Sequence, residues 1–125
     1  MLKILFKNKK HFTGILGEFI AIIYYFFIFS RLLHWRYKSK FGEIDLILRN
    51  KNTIIFCEVK TRLNIKIDMN NIENLISKTQ LKRLKNSMQN FMNKHRRYKT
   101  FDYRFDVIVV SSFFKIPLHI KNMYI

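Results

Sequence analysis

The strongest constraint on how this chain can fold is a pair of strand-like segments that carry charges where buried strands carry apolar residues. The segments are 42–47, which read Gly-Glu-Ile-Asp-Leu-Ile, and 56–62, which read Phe-Cys-Glu-Val-Lys-Thr-Arg. Because side chains alternate along a strand, the charges of each segment share one face; they are Glu43, Asp45, Glu58, Lys60 and Arg62. If the segments pair as a hairpin, these charges crowd into one small volume. Burying a charge is costly unless it is paired or bound to a metal, so the hairpin predicts a functional site.

Length and composition predict one globular domain. A chain of 125 residues is long enough for a modest core, and a hydrophobic share of 49% is too high for a disordered chain. We expect one domain over 1–125, in which 1–12 is a basic N-terminal tail. The lone cysteine, Cys57, rules out a disulfide framework and suits inert packing in a strand. This cysteine usage agrees with the cytoplasm as the expected compartment.

The charge balance favours a polyanionic partner. The formal net charge is +16, and no acidic residue occurs between Glu73 and Asp102. A surface of one sign is suited to binding phosphates; the basic residues of its helical part are Lys78, Lys82, Arg83 and Lys85. An excess of lysine also arises by drift in an AT-rich genome, so a merely solvated face is the alternative interpretation.

The apolar run 19–29 is the segment that raises the question of a membrane. It is about half as long as the roughly 20 residues that a spanning helix needs, and Ser30 and Arg31 follow it directly. It also lacks the small-residue cleavage site of a signal peptide. We therefore expect a core helix, and membrane attachment is the less favoured interpretation.

The hydrophobic pattern predicts elements in the order α-β-β-β-α-β. The helices are expected at 13–27, with Thr13 as a candidate cap, and at 72–94, where apolar residues recur at helical spacing. The strands are expected at 30–37, 43–48, 53–62 and 103–110. Turns are expected at 38–41 and 50–52, a loop at 64–71, and a short extra element after Pro117.

The first predicted helix carries one acidic residue, Glu18. It follows Gly14 and Gly17, which make the start of the helix slim enough for close backbone approach. A lone glutamate at a helix start is most often a favourable partner for the helix dipole. Helical spacing alone therefore does not make Glu18 catalytic.

The second predicted helix carries lysines at i, i+4 and i+7, namely Lys78, Lys82 and Lys85. Like charges at this spacing repel each other. They either bind an anion or are tolerated on an exposed face. Gln80, near the start of this helix, either hydrogen-bonds a base or a metal-bound water or is simply solvated, and the solvated state is the simpler interpretation.

Four motifs together resemble a known family. They are Gly42-Glu43-Ile44-Asp45-Leu46-Ile47, Ile55-Phe56-Cys57-Glu58-Val59-Lys60-Thr61-Arg62, Arg104-Phe105-Asp106-Val107-Ile108 and Gly14-x-x-Gly17-Glu18-x-x-Ala21. This set, from about Gly14 to Val110, resembles the YraN-like family of small, largely uncharacterised bacterial proteins. The resemblance implies a restriction-endonuclease-like α/β fold, with a mixed central sheet flanked by helices, similar to the archaeal Holliday-junction resolvases. Those nucleases use a helix Glu, a strand Asp and a Glu-x-Lys, which match Glu18, Asp45, Glu58 and Lys60.

The resemblance implies a metal-dependent nuclease that acts on DNA, including branched or otherwise structured DNA. Asp45, Glu58 and Lys60 are then the catalytic residues, and Glu18, Asp45 and Glu58 are the ligands of Mg²⁺ or Mn²⁺. The metal would lower the pKa of its bound water, and Lys60 would orient that water or stabilise the phosphate. Glu18 would complete the metal shell through water. Glu43 either supports these ligands from behind, as Gln80 can, or faces solvent.

The implied partner is nucleic acid, with DNA expected and no small-molecule cofactor. Its backbone would be held by Arg62, Lys78, Lys82, Arg83 and Lys85. A homodimer is expected by analogy with the resolvases, with the apolar first helix as its interface.

Less specific interpretations of the same residues stay open. The alternative function is a non-catalytic nucleic-acid-binding protein that keeps the nuclease fold. Glu58 and Lys60 can also form a purely structural ion pair. For Asp106 we prefer a structural ion pair, with Arg104 or Arg36 as its partner.

Overall fold

A five-stranded sheet with one helix on each face forms the architecture. The computed structural model describes residues 2–66 and 74–123, with side chains from residue 8 onward. The helices are α1, Leu2–Phe27, and α2, Lys78–Lys94, which a 3₁₀ turn at Arg96–Tyr98 follows. The strands are β1 Arg31–Ser39, β2 Gly42–Asn50, β3 Thr53–Thr61, β4 Asp102–Val110 and β5 Leu118–Ile120.

The sheet is mixed, and its strands lie in chain order from β1 to β5. Strands β1, β2 and β3 form an antiparallel meander, β4 runs parallel to β3, and β5 is antiparallel to β4. A parallel pair needs a long crossover connection, and α2 lies in the one that joins β3 to β4. The predicted mixed α/β class and the hairpin between the two charged segments are confirmed.

Two hydrophobic clusters pack on opposite faces of the sheet. On one face, Phe56 of β3 packs with Leu84 and Phe91 of α2. On the other face, Cys57 of β3 packs with Tyr25 of α1. Because successive residues of β3 serve opposite clusters, both faces of this central strand are covered, which explains its almost continuous apolar sequence.

The contact between α1 and β3 is close at one glycine. A Cβ atom at Gly17 would collide with the side chain of Thr61, at the end of β3, whereas a Cβ atom at Gly14 would meet nothing within 4 Å. The missing side chain at Gly17 therefore lets the helix backbone approach the end of the strand. This approach fixes the neighbouring Glu18 near the charged end of the hairpin.

The predicted boundaries of the first helix are wrong at the N-terminal side. Helix α1 begins at Leu2 rather than at Thr13, so residues 2–12 are helical and do not form a separate tail. The Thr13 hydroxyl does not cap the helix but donates to the carbonyl of Lys9 at 2.8 Å, a bond that Thr makes in a helix interior. The physical reason for the longer helix is that residues 2–12 contain neither Gly nor Pro and are rich in lysine and leucine.

Helix α2 begins later than the predicted residue 72. Ser77 is its N-cap, and the Ser77 hydroxyl accepts a hydrogen bond from the Gln80 backbone N–H at 3.1 Å. Residues 74–77 lie outside the α-helix, and the predicted start at 72 lies outside the described residues. The apolar spacing of Leu75 and Ile76 is therefore core packing ahead of the helix, not part of it.

The strand predictions are confirmed to within a few residues, including the turn at 51–52 and the extra element after Pro117, which is β5. The chain end thus adds an edge strand to the sheet. Within residues 2–66 and 74–123, no helix is long and apolar enough to cross a membrane.

A buried carboxylate, Asp106, ties the edge of the sheet to α1. It accepts hydrogen bonds from the Tyr25 hydroxyl at 2.8 Å, from Arg104 Nε at 3.0 Å and from the Asn122 backbone N–H at 2.8 Å, and it pairs with His119 Nε2 at 2.8 Å. The preferred Arg104–Asp106 ion pair is confirmed. Burial alone would raise the pKa of Asp106, but the bonds with His119 and Arg104 outweigh burial and lower it to about 2.

This lowered pKa predicts how stability depends on acid. A carboxyl group whose pKa is lower in the folded state stabilises the fold above its unfolded pKa, and this contribution is lost as the pH falls through the folded pKa. From pH 4 to pH 2 we therefore expect the free energy of unfolding to lose about 2 kcal/mol through Asp106. Urea unfolding of wild type and Asp106→Asn at both pH values measures this loss, which the variant should lack. The exposed Asp102→Asn is the control, and an equal pH dependence in Asp106→Asn would contradict the assignment.

Candidate active site

The charged residues of the hairpin line one cleft at the end of the sheet. The cleft has a volume of about 580 Å³ and lies between α1, the start of β2, the end of β3 and the start of α2. The predicted residues that line it are Glu18, Glu43, Asp45, Glu58, Lys60, Arg62 and Gln80. The structure thus brings the hairpin formed by β2 and β3 together with two helices that are far from it in sequence.

The basic residues predicted on α2 do not line this cleft. Helical spacing places Lys78, Lys82 and Lys85 opposite Gln80, on the face of α2 that points away from the sheet, and all three are exposed. Arg83 is also exposed and packs beside Gly42 at the turn between β1 and β2. These residues form a separate basic surface.

Asp45 marks the point where β2 and β3 separate. The ladder between the two strands ends at the pair Leu46–Cys57. Beyond this pair, the Asp45 carboxylate takes the place of a strand carbonyl and accepts a hydrogen bond from the Val59 N–H at 2.9 Å. The strand alternation is also interrupted here. Ile44 and Leu46 are two residues apart and would share a face in a regular strand, but they pack in clusters on opposite faces of the sheet. The irregularity opens the sheet at the charged end of the hairpin.

Glu58 is buried and held by two neighbours. Its Oε1 atom accepts a hydrogen bond from Gln80 Nε2 at 3.1 Å and lies 3.5 Å from Lys60 Nζ. Gln80 is therefore more than a solvated side chain, because it joins α2 to the acidic end of β3. The Glu58–Lys60 ion pair exists, and its place in the cleft suits both a structural and a chemical role.

Glu18 is held by an arginine that the sequence did not assign to it. Arg36 of β1 donates from Nη2 to Oε2 at 2.8 Å and from Nε to Oε1 at 3.2 Å, a two-point contact. Arg36 has a φ of 59°, and it faces the same irregular part of β2 as Asp45. Arg36 is thus the partner of Glu18, not the alternative partner of Asp106 that we considered. Its unusual backbone conformation explains why regular strand alternation could not place it.

Two further cleft residues lie on the part of α1 that the sequence predicts to be a tail. Lys10 and His11 line the cleft near Glu18. His11 and Glu18 are seven residues apart, which is two helical turns, so a longer predicted helix would have placed them on one face. The error in the helix boundary therefore hid part of the site.

Burial and repulsion between carboxylates shape the electrostatics of the cleft. Burial, followed by the charge of Glu18, raises the pKa of Asp45 to about 6. Burial, followed by the charge of Asp45, raises the pKa of Glu58 to about 8. Two carboxylates that resist ionisation side by side are a site at which a cation would be stabilising.

The carboxylates of the cleft fit a hard divalent cation whose remaining ligands are water or substrate. Within the described residues, no group of three His, Cys, Asp or Glu side chains converges closely enough to hold a metal ion. Mg²⁺ is commonly held by only one or two carboxylates, with water and substrate phosphate completing its shell. Asp45 and Glu58 provide that number of hard oxygen ligands, each oriented by a neighbour.

The fold and cleft define a small mixed α/β protein with an acidic site at the end of its central hairpin. Residues 17–110 match the model of the uncharacterised protein family UPF0102, and the chain belongs to this family, the YraN-like family that its motifs resemble. The match includes Glu18, Asp45, Glu58 and Lys60.

Curated relatives are similar over most of the chain. The protein is 38% identical over 80 residues to a UPF0102 protein from Vibrio parahaemolyticus, and this alignment covers 64% of each chain. It is 37% identical over 99 residues to one from Syntrophus aciditrophicus, which covers 79% of this chain and 76% of the relative. It is 34% identical over 115 residues to one from Caldicellulosiruptor saccharolyticus, which covers 92% of this chain and 89% of the relative.

The raised pKa of Glu58 predicts a gain in stability when its charge is removed. A carboxyl group whose pKa is higher in the folded state stabilises the fold below its unfolded pKa, and this contribution is lost as the pH rises through the folded pKa. In metal-free buffer at pH 9, Glu58→Gln should therefore raise the free energy of unfolding by about 1 kcal/mol or more. Urea unfolding measures the gain, with the exposed Glu43→Gln as a control from the same cleft. A Glu58→Gln protein that is less stable at pH 9 would show that its ion pair with Lys60 dominates.

Proposed function

We propose that this protein is a divalent-cation-dependent nuclease that hydrolyses phosphodiester bonds in DNA. The observation that carries the proposal is a pair of carboxylates, the half-buried Asp45 and the buried Glu58, held beside Lys60 where two strands separate. The mixed sheet, the parallel β3–β4 pair and the crossover through α2 support the restriction-endonuclease-like fold that the motifs imply.

Asp45 and Glu58 are the residues that would hold the cation. When bound, a divalent cation would lower the pKa of the attacking water and partly neutralise the negative charge of the phosphate. The Val59 N–H fixes the orientation of Asp45, and Gln80 fixes that of Glu58. Ligands fixed in this way do not need to reorganise during the reaction.

Lys60 provides the positive charge next to these ligands. Its side chain is largely buried, and its ammonium nitrogen lies 3.5 Å from Glu58 Oε1. From this position it can orient the attacking water or stabilise the charge that develops on the phosphoryl oxygens. Arg62, two residues along the same strand edge, extends the positive charge to the mouth of the cleft, where the DNA backbone would lie.

Arg36 is the residue that we assign to the substrate phosphate. A guanidinium group has five N–H donors, and Glu18 accepts from two of the Arg36 nitrogens. Arg36 lines the cleft, so its remaining N–H donors are available to a phosphate that enters the cleft. We therefore propose that Glu18 acts mainly by orienting Arg36, rather than as a cation ligand through water.

A non-catalytic nucleic-acid-binding protein is the second candidate. It is favoured by the contact between Glu18 and Arg36. Glu18 is the third expected cation ligand, and a carboxylate that is paired with an arginine is less available to a cation. The exposed basic face of α2 would serve either function.

The nuclease proposal predicts cleavage that depends on both the cation and the cleft. Purified protein should nick duplex, flapped or four-way-junction DNA in Mg²⁺ or Mn²⁺ and not in EDTA. Asp45→Ala and Lys60→Ala should each reduce the rate by about 100-fold or more, because each removes a group that stabilises the transition state. The exposed Lys99→Ala is the matched control. DNA binding without cation-dependent cleavage would establish the second candidate instead.

The role of Arg36 predicts a specific pattern of kinetic defects. Arg36→Lys keeps the charge but loses the fork that Glu18 orients, so kcat/KM for DNA cleavage should fall by about tenfold. Glu18→Gln should have a similar effect, and the double variant should be little worse, because both changes disrupt one contact. If Glu18 is a cation ligand instead, Glu18→Gln alone would raise the Mg²⁺ concentration needed for half-maximal activity.

A further inference from the structure

Helix α1 has apolar residues on two opposite faces. One face, with Ala21 and Tyr25, is buried against the sheet. The opposite face carries an apolar stripe, which we call the aromatic stripe, and its members are Phe12 (61% exposed), Phe19 (49%), Ile23 (41%) and Phe26 (70%). Their spacing of seven, four and three residues keeps them on one side of the helix. A helix that is apolar on both sides normally has both sides covered.

The stripe continues into an aromatic corner at the end of α1. Phe26, Phe27 and Phe29 project there, and Phe27 and Phe29 are 74% and 89% exposed. The backbone of Phe29 has a φ of 67°, so the chain turns sharply at this point. The three rings border an open hollow whose other walls are Ser30, Arg31, Arg49 and Lys51.

Apart from Ser30, the residues at the edge of the aromatic corner are basic. Arg31 and Arg49 are directly opposite each other on β1 and β2, an arrangement in which like charges destabilise a sheet. Both arginines also border a neighbouring hollow with Arg97. Among the described residues, no acidic side chain lines either hollow. A surface of this kind is complementary to a partner that is both apolar and anionic.

A second copy of the chain is a poor partner for this face. A two-fold interface would bring the same surface together from both copies. The basic edge at Arg31, Arg49 and Lys51 would then meet either itself or the exposed Lys9 near the other end of the stripe. Like charges facing each other oppose such an interface.

Nucleic acid is also a weaker match for the aromatic stripe. Proteins that stack bases alternate aromatic and basic side chains along a groove. The stripe instead runs over several turns of an exposed helix, it includes the aliphatic Ile23, and its basic residues lie only at its ends. A continuous apolar stripe with charged ends matches a flat boundary between polar and apolar phases.

We propose that the aromatic stripe and the aromatic corner dock on an anionic phospholipid surface. Helix α1 lies in the plane of the surface, with the phenylalanine rings at the boundary between headgroups and acyl chains. Arg31, Arg49 and Lys51 bind lipid phosphates. The apolar run 19–29 is too short for a helix that spans the bilayer. Docking on the surface does not need a longer run, because it requires only that one side of the helix be apolar and exposed. The proposal does not depend on the nuclease activity.

Vesicle flotation with the full chain tests the proposal. The protein should float with vesicles of phosphatidylglycerol and phosphatidylcholine and not with pure phosphatidylcholine. Phe26→Ser/Phe29→Ser should reduce the partition coefficient by about tenfold or more, because two inserted rings are removed. Phe114→Ser is the matched control, since Phe114 is 96% exposed and lies outside the stripe and the corner. Circular dichroism verifies that each variant is folded.

A charge variant separates this docking from general attraction of a basic protein. Each basic residue near an anionic surface contributes about fivefold to binding, so Lys51→Gln should lower the partition coefficient by about that factor. The exposed Lys115→Gln should lower it less. Flotation that survives Phe26→Ser/Phe29→Ser overturns the proposal. A dimer in light scattering that these two changes dissociate overturns it in favour of a second copy.

Discussion

The hydrogen bond from the Val59 N–H to the Asp45 carboxylate is the interaction on which the charged end of this structure depends. A regular hairpin would give that N–H a backbone carbonyl of β2. Because a side-chain carboxylate takes the carbonyl's place, β2 can leave β3 at this point and open a cleft. The bond leaves Val59 satisfied, so the fold does not lose a buried donor when the strands separate.

Every other part of the candidate site reaches the cleft from an element that this opening exposes. Helix α2 contributes Gln80 to Glu58, while α1 and β1 contribute the Glu18–Arg36 pair. Glu58 and Asp45 remain costly to ionise, as their raised pKa values indicate. The buried Asp106 shows the opposite case: it has donors from α1, β4 and the chain end, and its pKa is lowered. The same protein thus holds one carboxylate in its charged form and leaves a pair of carboxylates costly to ionise.

The sequence is sufficient to predict elements that have a strong local pattern of apolar residues. It is insufficient to predict contacts where the backbone geometry is irregular. The hairpin, the two helices and the membership of Asp45, Glu58 and Lys60 in one cleft follow from alternation and helical spacing. The partner of Glu18 did not follow, because Arg36 lies where strand alternation is interrupted. The start of α1 was placed too late because Thr13 resembles a cap until its bond to Lys9 is seen. The exposed side of α1 was also hidden, since hydrophobicity alone does not tell which apolar side chains are buried.

The most direct test of the central claim is a calorimetric titration of Mn²⁺ into the full protein at pH 7, repeated in buffers with different ionisation enthalpies. The cleft should bind the cation and release about one proton for each ion bound, since a carboxyl group with a pKa of about 8 is protonated before binding. Glu58→Gln should abolish the release. Absence of Mn²⁺ binding, or binding that the Asp45→Ala and Glu58→Gln changes leave intact, would contradict the account.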